Sequence, residues 1–116
     1  MKHIKTFILF ALILIIGLIA FYPNQEERKY PYFAYTDSMS ISGYTFADEH
    51  GDILEQFDCT CGCYEHIGHN NLRDCYIFEG SFEAHASYCD TCKALNQKVQ
   101  IGYNKGLTIE EIKRTL

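Results

Sequence analysis

An uninterrupted apolar run, FILFALILIIGLIAFY from Phe7 to Tyr22, constrains this chain more than any other feature. At about 1.5 Å per residue it covers roughly 24 Å as a helix, slightly short of the ~30 Å hydrocarbon core of a bilayer, so Ile4 and Thr6 extend it to spanning length. The run also takes much of the 47% hydrophobic content away from any other core. The rest of the chain can bury one modest core, so one small domain is expected, needing support beyond apolar packing.

Lys2 and Lys5 precede the run, whereas Glu26 and Glu27 follow it. Basic flanks stay cytoplasmic, which predicts a single-pass protein of the cell membrane with its N-terminus inside and residues 24–116 outside the cytoplasm. A cleaved signal peptide is the competing reading. It lacks a small-x-small site, since Leu18 would stand at −3 if Ala20 were the last residue removed, so an uncleaved anchor is expected. With no cysteine before Cys59, lipid attachment through an N-terminal cysteine is not expected.

The exported part keeps eight of the ten Lys and Arg against all fifteen Asp and Glu, a net charge of −7. Phosphates and anionic headgroups are repelled by such a surface, so nucleic acid is excluded as a partner and cations are favoured. Residues 24–43 hold serines, Pro31 and four aromatics, Tyr30, Tyr32, Phe33 and Tyr35, without sustained period, and read as a linker between a membrane anchor over 1–23 and a domain over 44–116.

Within that domain, Tyr44, Ala47, Ile53, Leu54 and Phe57 recur at mostly helical spacing around Gly51, predicting two short helical turns. Cys75 to Phe78 is an apolar tetrad compatible with a strand or a buried turn. Ser81 then reads as the N-cap of a main helix in which Phe82, Ala86, Cys89, Cys92, Leu95, Val99 and Tyr103 recur every three or four residues up to Gly106. Thr108 and Glu111 have the spacing of a capping box for a last short helix using Ile109 and Ile112. The fold class expected is mostly α: one transmembrane helix followed by a small Cys/His-rich helical domain with irregular loops.

All six cysteines and three of the five histidines fall between Cys59 and Cys92: Cys59, Cys61, Cys63, Cys75, Cys89, Cys92, His66, His69 and His85. On a continuous helix His85, Cys89 and Cys92 stand within an arc of roughly 60°. An extended Cys59–Cys61–Cys63 segment likewise presents one face, and Gly62 allows it to curl. Thiolate and imidazole are the preferred ligands of Zn(II), and thiolate especially of Cu(I). His69 and His85 rank above His66, because they neighbour cysteines at ligand spacing, while His50 reads as solvent-exposed. Asp58, Glu65, Asp74 and Asp90 are candidates to orient histidines, with an exposed acid the ordinary role of each.

Disulfides are the alternative, because small exported domains often depend on them. Cys-x-Cys pairs close strained rings, so Cys59, Cys61 and Cys63 would each seek one of Cys75, Cys89 and Cys92. A mixture of disulfide and thiol is a third reading. Crowding of the cysteines into one third of the chain, with histidines interleaved, favours a ligand cage over a scaffold that staples distant loops. No Ser or Cys has an evident base and orienter, so no enzyme is expected.

These residues resemble the bacterial family of exported proteins of unknown function named for a PCYCGC motif. The motif stands here as Asp58-Cys59-Thr60-Cys61-Gly62-Cys63, Gly68-His69-Asn70-Asn71-Leu72-Arg73-Asp74-Cys75 is similar to the family's GHxSLxDC, and Phe82-x-x-His85-Ala86-x-x-Cys89-x-x-Cys92 to its WxxHGxxCxxC. The likeness runs from about Tyr44 to the end. Members are often lipoproteins, a role in which the apolar anchor would stand in for the lipid. The function expected is a membrane-anchored, extracytoplasmic domain binding Zn or Cu(I), with a metal-free disulfide-held interaction module as the alternative and its protein partner unidentified.

Overall fold

A computed structural model describes residues 1–22, 27–62, 65 and 67–116. Helix α1 covers Lys2–Phe21, and its stretch from His3 to Phe21, with mean hydropathy 2.7 and no burial against protein, is long and apolar enough to cross a membrane. A helix satisfies its own backbone there. It stops at Tyr22, which is extended (φ −67°, ψ 112°) as expected of the residue before Pro23.

The folded part begins earlier than the sequence suggests. Tyr32–Tyr35 form a 3-10 turn and helix α2 runs over Ser38–Glu49, so much of the expected linker 24–43 belongs to the domain. Ala34 is completely buried, Tyr30 lies edge-on to Phe82 at 5.4 Å, and Phe33 packs on Tyr44 at 5.7 Å. A domain short of aliphatic core residues recruits these rings, and a single 3-10 turn is too short to show a period. Asp37 starts α2, its carboxylate accepting the Ser40 amide at 2.7 Å.

After α2 come α3 (Gly51–Leu54), a 3-10 turn at Arg73–Cys75, strands β1 (Ile77–Phe78) and β2 (Ser81–Phe82), α4 (His85–Tyr88), α5 (Asp90–Asn104) and α6 (Ile109–Lys113). The main helix expected from Ser81 is therefore a hairpin and two helices. Glu79 and Gly80 both take positive φ, 50° and 81°, the twist a two-residue hairpin turn requires, and they bring Ile77 opposite Phe82 and Phe78 opposite Ser81. Ser81 is thereby a strand residue. Cys89 is extended (φ −108°, ψ 102°), and its sulfur accepts the Cys92 amide at 3.5 Å as the N-cap of α5.

Helix α5 ends as the sequence predicts. Gly106 takes φ 73°, its amide donating to the Tyr103 carbonyl while the Leu107 amide reaches Gly102, a Schellman closure. Both arms of the Thr108–Glu111 capping box form on α6. The core lies between α2 and α5, where Tyr44, Tyr76, Leu54, Leu72, Val99 and Ile112 are fully buried. Asn96 is buried with them, donating to the Gly43 carbonyl at 3.3 Å and accepting from Gln100 at 2.9 Å.

Candidate metal centre

The described cysteines sit where loops meet the start of α5. Phe57 and Leu72, both buried, close the loop between them through the Leu72 amide and the Phe57 carbonyl at 2.8 Å. That loop carries Cys59 and Cys61. Cys75 ends the following 3-10 turn, His85 opens α4, and Cys89 and Cys92 occupy the N-cap and first turn of α5. Cys75 and Cys92 are buried, whereas Cys59 and Cys89 are half-buried.

Two sets of four ligand atoms each lie within 4.8 Å of one another: Cys59, Cys61, Cys75 and Cys92, and Cys61, His85, Cys89 and Cys92. Sulfur separations are 3.7 Å for Cys59–Cys92, 3.6 Å for Cys61–Cys92, 3.1 Å for Cys59–Cys75 and 2.9 Å for Cys59–Cys61, and Cys61 Sγ lies 3.6 Å from His85 Nε2. Tetrahedral zinc with bonds of about 2.3 Å to sulfur and 2.0–2.1 Å to nitrogen has edges of roughly 3.8 Å (S–S) and 3.5 Å (S–N). Three of these contacts already have that length. The two shorter ones must open by about 0.7–0.9 Å to admit an ion.

Cys61 is disulfide-bonded. Cys59, Cys75, Cys89 and Cys92 are free, so the described cysteines do not make the three-bridge scaffold considered above. Burial raises the Cys59 and Cys89 thiols above their ordinary pKa. The Cys92 thiol is raised further, chiefly by its hydrogen bond with Cys75 and then by burial. Raised pKa values favour the protonated thiols, and a metal binding here would have to displace those protons.

Cys63 and His66 lie outside the described residues. His69 is 2% exposed, its ring 5.1 Å from Phe78 and 5.6 Å from His85 in edge contact, and its Nδ1 is buried without a hydrogen-bond partner. Burial, with His85 adding to it, lowers its pKa. It borders the two ligand sets without joining either. His50, expected in solvent, packs between Phe46 and Tyr103 at 4.9 and 4.7 Å. Of the acids, Asp74 accepts the Asn70 amide at 2.8 Å and Asp90 pairs with Lys93 at 3.0 Å.

One supporting residue escaped the sequence reading. Tyr76, fully buried, donates its hydroxyl to the Cys92 carbonyl at 3.2 Å and stacks edge-on with Tyr44 at 5.1 Å. Following Cys75 in the chain, it ties two of the cysteine-bearing segments to the α2–α5 core. The only sequence signal was a tyrosine inside an apolar tetrad, which says nothing about the direction of its hydroxyl.

No curated protein and no solved structure matches the chain. A family model described as "Protein of unknown function with PCYCGC motif" matches residues 25–116, which take in the described folded part and every cysteine, and the chain belongs to that family.

Proposed function

We propose that this protein is a membrane-anchored, extracytoplasmic domain that holds Zn(II) or Cu(I) on cysteine thiolates, for metal handling or for structural support, and that it is not an enzyme. The observation carrying this reading is the convergence of five cysteines and one histidine, far apart in the chain, into two sets of four ligand atoms that each lie within 4.8 Å of one another. The acidic surface attracts cations, and the single apolar helix followed by acids supports the stated orientation. Thiolate donors fit either metal, with His85 tilting one set toward Zn(II).

The disulfide at Cys61 favours a second reading, an interaction module held by oxidised cysteines. Elemental mass spectrometry with a thiol count on the full chain, purified in detergent without oxygen, separates the two. The metal reading expects at least one equivalent of Zn or Cu and a melting temperature that falls on chelation. A metal-free protein whose melting ignores chelators and falls with reductant establishes the interaction module instead.

A further inference from the structure

The two ligand sets are not independent. Each contains Cys61 and Cys92, whose sulfurs are 3.6 Å apart, while Cys59 and Cys75 complete one set and His85 and Cys89 the other. Two four-donor sets that share two thiolates have the connectivity that a pair of ions bridged by two thiolates requires. Resting on the metal reading above, we propose that the reduced protein binds two metal ions in one cluster, with Cys61 and Cys92 as the bridging thiolates, Cys59 and Cys75 terminal on one ion, and Cys89 and His85 terminal on the other.

Three physical arguments support the cluster over a single ion. With bonds of about 2.3 Å to both bridging sulfurs, the two ions sit roughly 2.9 Å apart, a separation that bridging thiolates screen. One divalent ion on the four thiolates of Cys59, Cys61, Cys75 and Cys92 carries a net charge of −2, whereas two divalent ions on five thiolates carry −1. Cys75 and Cys92 are 0% and 1% exposed, so uncompensated charge there is expensive, and the second cation halves it. A single ion would also leave two of the six converging donors without a metal, although their elements hold them at ligand distance.

The same arrangement gives Cys61 a controlling position. Its disulfide takes a corner from both tetrahedra at once, so oxidation at this one residue dismantles the whole cluster. Loading therefore requires a thiol reductant. Two reductant thiols give up two electrons and two protons and leave as a disulfide, while Cys61 and its partner each gain one electron and one proton. The thiol protons leave when the metal binds.

The test uses the full chain in detergent micelles, reduced with a dithiol under nitrogen, freed of it, and titrated with 113Cd(II). We expect two cadmium resonances, and proton–cadmium correlation in which the β-protons of Cys61 and Cys92 each couple to both while those of Cys59, Cys75 and Cys89 couple to one. One resonance at saturation overturns the cluster and leaves the single-ion reading standing. Two resonances with no shared cysteine also overturn it, in favour of separate sites. No bound cadmium overturns the cluster and the metal reading together. Without prior reduction the spectrum is expected to lose both resonances, and full loading of the oxidised chain would refute the bridging role of Cys61.

Discussion

Substituting Gly43 by alanine tests whether the helical core positions the cysteine site. Gly43 lies inside α2, where alanine is favoured over glycine by about 1 kcal/mol of helix propensity. A Cβ at this position would stand 2.6 Å from Tyr76 Cε1, 2.9 Å from its hydroxyl and 3.0 Å from Cζ. The ring has nowhere to go, because it is fully buried, stacks on Tyr44 and is held by the Cys92 carbonyl. Overpacking of this kind costs about 1–3 kcal/mol, and a clash with three atoms of one ring belongs at the upper end. The net expectation is a loss of about 1–2 kcal/mol, or about 4–8 °C of melting temperature per kcal/mol for a domain of this size. Thermal unfolding of the reduced, chelated full chain in detergent measures it, with metal affinity read separately on the same variant. In a Tyr76→Leu background the alanine is expected to be harmless. A Gly43→Ala protein that melts higher than the parent, or a penalty that persists without the tyrosine ring, refutes the packing argument.

Two further predictions rest on the helix start and on the second ligand set. Asp37→Ala removes the α2 cap and the 3.0 Å contact with Lys93, and is expected to lower stability by about 1 kcal/mol at neutral pH, nearly all from the cap because the ion pair is solvent-screened. The Ser40 amide, and then Lys93, hold the Asp37 carboxyl below its ordinary pKa, so its contribution is present above about pH 3.9 and vanishes as pH falls through the folded value. The variant should lose less stability than the parent on acidification, as acid-unfolding curves will show, and equal losses count against the cap. His85→Ala removes a donor from one set only. Elemental analysis is expected to find one ion fewer than in the parent while the other ion remains, and an unchanged metal count removes His85 from the site.

The sequence by itself determined the parts of this protein that depend on local chemistry. An uninterrupted apolar run free of charge and of internal turn signals reads as one helix that satisfies its own backbone, and α1 is that helix, long and apolar enough to cross a membrane. The Thr108–Glu111 spacing and Gly106 fixed the two ends around the last turn, because caps involve residues three to five apart. The crowding of cysteines and histidines pointed to a common site before any contact was known, through composition alone.

Tertiary structure decided the rest. Helical period placed His85, Cys89 and Cys92 on one helix face, yet they converge across a break at Cys89, where the capping role of the thiol outweighs continuation of the helix. The two-residue turn at Glu79–Gly80 was missed because glutamate rarely takes positive φ, and only the paired strands on either side make that conformation worthwhile. Tyr30 and Ala34 looked like tether until the core claimed them, since burial depends on which surfaces remain uncovered elsewhere. That the Cys61 and Cys92 sulfurs stand 3.6 Å apart depends on a contact between residues 31 apart in the chain. Distances of that kind follow from packing α2 against α5 and from closing the Phe57–Leu72 loop, and no local pattern encodes them.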